Sequence, residues 1–473
     1  MSFPSIHFDP VSKVFHLQSC QASYVMQLYR DGYLAHLYYG KRLETYQGSF
    51  PLRFLDRAFS PNPDAEDRTF SLDTLPQEYP TFGHTDYRTP ALRIEMPDGT
   101  HITDLRYHHH EIASGKPTLP GLPATYMTQE TEGETLTIVL KDKDYPIYVK
   151  LHYTVFRHNA AITRSVQIYH DMTCPIKLLK ADSMNVDFRR QDFRLLHLPG
   201  AWGRERMETI QKVQQGLMTM ESRRGASSHQ HHPFFALLGD ETTETWGEVF
   251  GFSLVYSGNF QAQVEQDAFG CTRVHMGLNP FSFSWLLSPA ETFTTPEVVM
   301  VYSDRGIGEM SRQFHKLYRD HLLRGQYKSE ERPILINNWE ATYFDFNEEK
   351  LLALAEVAKE VGIELFVLDD GWFGRRNNDR SSLGDWHVNR DKLPGGLPQL
   401  AKKIKAGGQR FGLWVEPEMI SVDSDLYRQH PDWCLHVAGR PRSESRNQLV
   451  LDFARPEVVD AVYAQLFQLL QSA

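Results

Sequence analysis

The chain has 473 residues, 41% hydrophobic and 23% charged, which is typical of a soluble globular protein of two or three domains. Its formal net charge of −10 argues against a partner that is held through nucleic-acid phosphates. The four cysteines, Cys20, Cys174, Cys271 and Cys434, are far apart, so neither a zinc site nor a disulfide framework is indicated.

The N-terminal sequence MSFPSIHFDP lacks the basic start and the apolar stretch of a signal peptide. No run in the chain approaches 18 apolar residues, so no membrane-spanning segment is predicted. We therefore expect a cytoplasmic protein that has no membrane partner.

Short strands are predicted from the start of the chain to about residue 300. Segment 147–156, IYVKLHYTVF, alternates apolar and polar side chains, which predicts a β-strand with Ile147, Val149 and Leu151 on one face. Similar runs occur at 136–140, 248–258 and 296–303. Many short strands with turn signals between them predict a large β-sandwich.

The pattern changes near residue 305. Segment 308–323 spaces Met310, Phe314, Leu317 and Leu322 at helical intervals, and 324–333 is a polar stretch that ends in proline. We therefore predict a first domain over 1–330, consisting of the β-sandwich with a connecting helix and linker, and a second domain over 331–473.

Strands and helices alternate in the second domain. The predicted strands are PILINNW (333–339), ELFVLDDGW (364–372), RFGLWVEPEM (410–419) and a short NQLVLD (447–452); the predicted helices are 348–362, 397–409 and 456–471. This alternation predicts a parallel sheet with both faces covered, and both a (β/α)8 barrel and a doubly wound sheet fit it. The polar strand ends and the lack of a Gly-rich phosphate loop favour the barrel, although only three or four of its eight units occur.

Carboxylates, amides and indoles follow three successive predicted strands. These residues are Asn337, Asn338, Trp339 and Glu340; Asp369, Asp370, Gly371 and Trp372; and Trp414, Glu416 and Glu418. Carboxylates accept hydrogen bonds from vicinal hydroxyls and indoles stack on the C–H side of a pyranose, so the set predicts a sugar pocket. Both aspartates can serve one ligand if the chain leaves the strand there, which Gly371 makes easy.

Other interpretations of these residues stay open. Adjacent aspartates at a strand end are common as helix caps or Asx turns, and Asp369, Asp370 and Glu416 could hold a hard cation. The sugar pocket is preferred, without a metal, because three strand ends share the same character. The histidines at 108–110 and 229–232 are interpreted as surface or turn residues. Asp56, Arg68 and Trp202, on loops of the first domain, matter only if that domain leans over a site.

Long motifs of the second half resemble the bacterial α-galactosidases of glycoside hydrolase family 36. They are NNWEATYFDFNEEK, LFVLDDGWFGRRNNDRSSLGDW, FGLWVEPEMIS and HPDWCLHVAGRPRSESRNQLVLD, and the first half adds FLDRAFSPNPDAEDRTFSLDTLPQEYP, HLPGAWGRERM and ESRRGASSHQHHPFF. The resemblance implies an N-terminal β-supersandwich, a central (β/α)8 barrel and a small C-terminal β domain. It also implies retaining cleavage of terminal α-galactosides such as melibiose and raffinose, typically by a tetramer, without a cofactor.

The resemblance also implies roles for individual residues. Asp369 and Asp370 correspond to the pair that binds galactose hydroxyls, Trp339 and Trp414 to aromatic pocket walls, and Arg446 to a polar sugar contact. Asp56, Arg68 and Trp202 correspond to loop residues that help close the pocket, with closure across a subunit interface as one option.

The catalytic motif of the family does not occur in the sequence. The family's nucleophile belongs to a Lys-Trp-Asp motif on the fourth barrel strand, with an acid/base aspartate further on, and no Lys-Trp-Asp occurs in these 473 residues. Retaining hydrolysis needs two carboxyl groups about 5–5.5 Å apart on opposite sides of the bond, which two adjacent residues on one strand end do not provide. No catalytic residue is therefore expected in this chain; the nucleophile and acid/base are expected downstream of Ala473.

The function predicted from the sequence is that of an α-galactosidase-type glycoside hydrolase whose 473-residue chain is inactive alone. Two alternatives stay open. The first is a non-catalytic galactoside-binding or scaffold protein. The second is a related α-N-acetylgalactosaminidase or transglycosylase.

Overall fold

The computed structural model describes residues 5–46 and 55–472. Residues 1–4 of the N-terminal sequence, Phe54 at the start of a motif quoted above, and Ala473 lie outside the described residues. The chain separates into two compact units, Met1–Ser329 and Glu330–Ala473. Across residues 5–46 and 55–472, no helix combines the length and apolar character needed to cross a membrane.

The first unit is built almost entirely of β-strands and ends in one long helix. In chain order its elements are β1 (Ile6–Asp9), β2 (Val14–Gln18), β3 (Ala22–Tyr29), β4 (Tyr33–Lys41), β5 (Leu92–Glu95), β6 (Leu105–Ser114), β7 (Gly133–Asp142), β8 (Ile147–Phe156), β9 (Ala161–His170), β10 (Ile176–Phe188), β11 (Phe193–Pro199), β12 (Thr209–Lys212), β13 (Gly216–Glu221), β14 (His231–Gly239), β15 (Val249–Val255), β16 (Phe260–Gln266), β17 (Thr272–Leu278), β18 (Trp285–Leu287), β19 (Thr292–Thr294), β20 (Glu297–Ser303) and α1 (Gly306–His321).

These strands form three antiparallel sheets. The first has the order β1-β2-β3-β4; the second has the order β13-β16-β17-β10-β18, with β5 also on β10; the largest has the order β12-β11-β14-β15-β20-β9-β8-β7-β6, with β19 also on β9. One large core cluster includes residues of all three sheets, such as Phe15, Leu151 and Val274. The predicted β-sandwich is confirmed, since sheets pack through one shared apolar interior.

Strand β8 shows how deep that interior is. Ile147, Val149 and Leu151 are buried, as the alternation predicts. His152 and Thr154 on the opposite face are buried as well. Side chains of the neighbouring strands contribute to this burial, since the His152 ring lies 3.0 Å from Thr137 Oγ1 on β7 and 3.2 Å from Gln167 Oε1 on β9.

Helix α1 follows the predicted apolar spacing. Met310, Phe314 and Leu317 are buried. The fourth predicted member, Leu322, is the C-cap and not a helical residue, since the helix ends at His321. The apolar stripe attaches α1 to the sandwich, because Met310 and Phe314 belong to the same buried cluster as Val249 of β15.

The second unit alternates strands and helices. Its elements are β21 (Leu335–Asn337), α2 (Trp339–Thr342), α3 (Glu348–Glu360), β22 (Leu365–Leu368), α4 (Gly396–Ala406), β23 (Arg410–Leu413), β24 (Met419–Ser421), α5 (Asp425–Gln429), β25 (Gln448–Val450) and α6 (Pro456–Ser472). Strands β21, β22 and β23 form a parallel sheet in that order. The strands therefore lie side by side in the order in which they occur in the chain, as do the first strands of a (β/α)8 barrel. In a doubly wound sheet, by contrast, the strand order reverses at a switch point.

One predicted strand is wrong in its extent. Segment 410–419 was expected to be a single strand, yet β23 ends at Leu413 and the chain pairs again only from Met419. Pro417 lies between them and has no N–H to donate to a ladder, so it interrupts the strand. Strand β24 then pairs antiparallel with β25 in a two-stranded ribbon outside the parallel sheet.

Candidate functional site

The carboxyl ends of β21, β22 and β23 meet at one edge of the parallel sheet. Asn337 is the last residue of β21, Asp369 directly follows β22, and Trp414 directly follows β23. The Asn337 amide donates to Asp369 Oδ2 at 2.7 Å, and the Trp414 backbone N–H donates to the Leu368 carbonyl at 2.9 Å. The fold therefore assembles the polar and aromatic residues that the sequence places after separate strands.

Asp369 is embedded in hydrogen bonds at this edge. Besides the Asn337 amide, its carboxylate accepts the Asp370 backbone N–H at 2.7 Å. Its own backbone N–H donates to Asn338 Oδ1 at 2.8 Å. Burial raises the pKa of Asp369 above its usual range, and the neighbouring Asp370 charge adds to this, while the bond from the Asp370 N–H opposes it.

Asp370 is held by a buried arginine that the sequence interpretation missed. Arg376 donates from Nε to Oδ1 at 3.0 Å and from Nη2 to Oδ2 at 2.9 Å, and its Nη1 donates to the Ser381 carbonyl at 2.9 Å. Arg376 is fully buried and Asp370 is 4% exposed. A buried carboxylate needs a cationic partner, so the adjacent arginines at 375 and 376 were the available signal.

Gly371 lets the chain turn out of the strand, as predicted. Strand β22 ends at Leu368, and Gly371 has a φ of +103°, which is unfavourable for residues with a side chain. A Cβ at this position would lie 3.1 Å from the Phe344 ring and 3.2 Å from the Phe346 ring. Glycine is required here for both its backbone angle and the space it leaves.

Lys392 secures the same turn and was also missed. Its ammonium donates to the Gly371 carbonyl at 2.9 Å and to the Arg376 carbonyl at 3.1 Å. Burial lowers the pKa of Lys392 to about 8, against the opposing charges of Asp370 and Asp345. Lys392 and Arg376 are therefore both cations in the surroundings of Asp370.

Aromatic side chains line the neighbouring region. Trp414 is half-buried; its ring stacks with Phe373 at a centroid distance of 6.4 Å, and its carbonyl accepts the Trp372 indole N–H at 2.9 Å. Trp339, the first residue of α2, is also half-buried and lies 5.2 Å from the Phe344 ring. Both indoles are braced by other rings while keeping part of their surface in solvent.

Glu416 and Arg446 form the remaining part of the predicted set in this unit. Burial raises the pKa of Glu416, and the charge of Glu418 raises it further, whereas the cations Arg446 and Arg376 oppose the shift. Arg446 is exposed and has a φ of +51° in the turn before β25. Its guanidinium is therefore an accessible cation whose field reaches Glu416.

Asp56, Arg68 and Trp202 lie in the first unit. Asp56 and Arg68 are brought together as an ion pair of 3.2 Å with both side chains largely exposed. Trp202 is 86% exposed and lies just after β11, in a loop over 200–208. Their predicted contribution to pocket closure stays a prediction.

The structure also bears on the alternative interpretations of the aspartate pair. Helix capping is wrong for Asp369 and Asp370, because the next helix, α4, begins only at Gly396. In place of a hard cation, the Arg376 guanidinium bonds both Asp370 oxygens. Within residues 5–46 and 55–472, no group of three or more His, Cys, Asp or Glu side chains is arranged to hold a metal ion.

Comparison with known proteins gives matches along nearly the whole chain. The family model described as the glycosyl hydrolase family 36 N-terminal domain matches residues 32–288, and the one described as melibiase matches residues 292–473. The chain is 58% identical over 469 residues to alpha-galactosidase AgaA of Geobacillus stearothermophilus. It is 46% identical over 468 residues to alpha-galactosidase Mel36A of Lactobacillus acidophilus. Each alignment covers 99% of this chain and 64% of the relative, so the chain spans about 64% of the length of these relatives.

Solved structures match this chain in fold as well as in sequence. The crystal structure of the GH36 alpha-galactosidase AgaB from Geobacillus stearothermophilus matches with a TM-score of 0.96 at 57% identity, covering 100% of this chain and 64% of that one. A crystal structure of an AgaA variant in complex with raffinose matches with a TM-score of 0.96 at 58% identity, covering 98% of this chain and 64% of that one.

Proposed function

Because the chain belongs to glycoside hydrolase family 36, we propose that it carries the galactose-binding residues of an α-galactosidase that cleaves terminal α-galactosides with retention of configuration. The observation that carries this proposal is the preorganised aspartate pair at the end of β22. Asp369 is oriented by Asn337 and Asp370 by Arg376, so both carboxylates are in place before a ligand arrives. Each retains lone pairs that accept hydrogen bonds from sugar hydroxyls.

The aromatic residues complete the recognition of one pyranose ring. The partly exposed indoles of Trp339 and Trp414 offer faces to the polarised C–H groups of a sugar. Arg446 supplies an exposed donor for a hydroxyl. Asp56, Arg68 and Trp202 are proposed to help close the pocket, in keeping with the corresponding loop residues of the family.

The proposed substrates are α-galactosides of the melibiose and raffinose type. Variants of AgaA have been crystallised with raffinose and with stachyose, and this chain is 58% identical to each in sequence. We extend those ligands to this protein as a proposal. A homo-oligomer, with the tetramer typical of the family, is proposed in the same way.

Hydrolysis by the 473-residue polypeptide itself is not expected. Retaining cleavage needs two carboxyl groups about 5–5.5 Å apart on opposite sides of the scissile bond. Asp369 and Asp370 are neighbours at one strand end, and both oxygens of Asp370 bond Arg376. The sequence also contains no Lys-Trp-Asp motif. We propose that residues 1–473 recognise the galactosyl ring. The carboxylates that break the bond are proposed to lie in the part of the family's proteins that this sequence does not cover.

Two measurements on the purified chain test this proposal. Calorimetric titration with galactose is expected to give a Kd of about a millimolar or tighter, which corresponds to roughly −4 kcal/mol. Release of nitrophenol from a nitrophenyl α-galactoside is expected to stay at the background rate. Absence of galactose binding would contradict the recognition proposal, and robust turnover would contradict the proposed division between recognition and catalysis.

A further inference from the structure

An aromatic segment of the first unit plays no part in the site described above. Residues 279–296, NPFSFSWLLSPAETFTTP, include β18 and β19, two three-residue strands. Strand β18 pairs with β10 at the margin of its sheet, with Trp285 opposite Leu178. The Trp285 side chain is nevertheless 49% exposed. An indole fixed by a strand and left half open is a surface from which a ligand gains contact area at low entropic cost.

This segment forms one wall of a cavity of about 780 Å³. The other walls come from residues 120–122, from Gln167 on β9 and from the turn at 256–259. All of these residues belong to the first unit. The volume falls within the range of roughly 300–1,000 Å³ found for small-molecule sites, and it is large enough for a sugar of two or three rings.

Three rings make one side of the cavity aromatic. Trp285 lies 5.4 Å from Phe293, and Phe283 lies 5.7 Å from Phe293, both measured between ring centroids. Phe293 is buried and so anchors the two more exposed rings. The electron-rich face of such a ring attracts the polarised C–H groups of a pyranose.

Uncharged polar groups face the same cavity. Thr294 lies directly opposite Gln167 in the ladder between β19 and β9. Asn259 is held by accepting the Gly225 backbone N–H at 2.7 Å, and Asn279 by donating to the Ser222 carbonyl at 3.0 Å. Amides and hydroxyls both donate and accept, which matches the alternating hydroxyls of a sugar.

The charge of the lining narrows the ligand class. No Asp, Glu, Lys, Arg or His occurs among the described residues that line this cavity. A phosphate or carboxylate ligand would therefore find no cationic partner there. A purely apolar partner would leave the amides and hydroxyls desolvated without hydrogen bonds, which is unfavourable.

We propose that this cavity is a second carbohydrate-binding site, which takes a neutral oligosaccharide with one pyranose ring against the Trp285 indole. Gln167, Asn259 and Thr294 supply hydrogen bonds to its hydroxyls. The site contains no carboxylate and does not take part in bond cleavage. Its role is to retain an oligosaccharide on the first unit independently of the aspartate pair in the second unit.

The test uses the full chain carrying Asp369→Asn, so that recognition at the aspartate pair is weakened while the buried Asp370–Arg376 pair stays intact. Raffinose is titrated by calorimetry into this protein and into the same protein with Trp285→Ala. The second substitution is expected to weaken raffinose binding by about 10-fold or more, which corresponds to at least roughly 1.4 kcal/mol. Trp285→Phe keeps an aromatic face and is expected to stay within a few-fold of its parent.

Trp246→Ala is the matched control, because Trp246 is a 61% exposed tryptophan of the same unit that does not line the cavity. It is expected to leave raffinose binding unchanged. The proposal is overturned if the Asp369→Asn chain shows no saturable raffinose binding, or if Trp285→Ala and Trp246→Ala have equal effects. It is also overturned if Trp285→Ala shifts the sedimentation coefficient while raffinose fails to bind, since the surface would then join two copies of the chain.

The outcome is separable from that of the proposed function. If the aspartate pair does not bind sugar, Asp369→Asn has no effect on raffinose affinity, yet the loss caused by Trp285→Ala remains. If the cavity does not bind sugar, Asp369→Asn weakens the binding and Trp285→Ala changes nothing.

Discussion

Arg376 donates hydrogen bonds to both carboxylate oxygens of Asp370, at 3.0 Å from Nε and at 2.9 Å from Nη2. The guanidinium is fully buried and the carboxylate nearly so. A bidentate pair of this kind fixes the direction of the carboxylate as well as its position. The second aspartate of the DDG motif is therefore part of a rigid element rather than a free side chain at a loop.

Arg376→Ala is expected to destabilise the second unit strongly. It leaves Asp370 buried without its cation, a change that typically costs about 3–5 kcal/mol of the free energy of unfolding. Urea denaturation followed by tryptophan fluorescence measures this, since five of the eight tryptophans, Trp339, Trp372, Trp386, Trp414 and Trp433, lie in that unit. The adjacent Arg375 is exposed, so Arg375→Ala is the matched control and is expected to change stability by less than about 0.5 kcal/mol. Equal effects of the two substitutions would contradict the assigned role of the buried pair.

Asp369→Asn is expected to weaken galactose binding while preserving the fold. The substitution keeps the shape of the side chain but removes the charge that strengthens hydrogen bonds from sugar hydroxyls. Losing one or two charge-assisted bonds lowers affinity by roughly 10- to 100-fold. Calorimetric titration with galactose measures the change. Asp391→Asn, at an exposed position, should leave the affinity as it is.

The pH dependence of galactose binding follows from the same residue. Burial raises the pKa of Asp369 above 3.8, and the carboxylate is the stronger acceptor, so affinity rises with pH through the titration of Asp369. The midpoint lies above 3.8 in the free protein. In Asp369→Asn this pH dependence of the galactose affinity should disappear. If the variant kept the full wild-type pH profile, the titration would have to belong to another group.

Lys392→Met is expected to change how stability depends on pH. Burial lowers the pKa of Lys392 to about 8, whereas the unfolded chain keeps the ordinary 10.5. Between these values the unfolded state holds a proton that the folded state has lost, so this lysine makes the free energy of unfolding rise with pH. The free energy of unfolding of the wild type, relative to that of Lys392→Met, should therefore increase by roughly 2 kcal/mol between about pH 8 and about pH 9.5.

Urea denaturation at the two pH values gives the difference between wild type and variant, in which the other titrating groups cancel. The same measurements on Lys402→Met, at an exposed position of α4, give the baseline for removing a lysine from the surface. If the difference between wild type and Lys392→Met did not change with pH, or changed in the opposite direction, the burial of a titrating ammonium at this turn would be wrong.

Gly371→Ala is expected to cost more than its backbone angle alone requires. A positive φ at a residue with a side chain costs roughly 1–3 kcal/mol, and the new methyl would also crowd the Phe344 and Phe346 rings. Gly362 is the matched control, because it has a φ of +87° and a methyl group added there would have no neighbouring atom within 4 Å. Gly371→Ala should lower the free energy of unfolding by about 1 kcal/mol or more beyond the loss caused by Gly362→Ala. It should also weaken galactose binding. A smaller loss for Gly371→Ala than for Gly362→Ala would exclude the packing argument.

Local patterns were sufficient for most of the secondary structure. Strand alternation at 147–156 and helical spacing from Met310 to Leu317 depend on neighbouring residues alone, and both elements form where they were predicted. The long motifs around Asp369 likewise identified the family, because a motif is a property of the residue order. The ribbon of β24 and β25 was harder, since it joins Met419 to Val450 across a long loop.

Partners far apart in the chain could not be identified from order alone. The fold of the loop between β22 and α4 decides which of the two adjacent arginines is buried. The same fold brings Lys392 to the Gly371 carbonyl. The same holds for Gln167 and Thr294, which are separated by more than a hundred residues and become neighbours only through the pairing of β9 with β19. Residue types and their spacing predict chemistry along one strand, whereas the burial and charge of a site depend on the packing of segments that the sequence keeps apart.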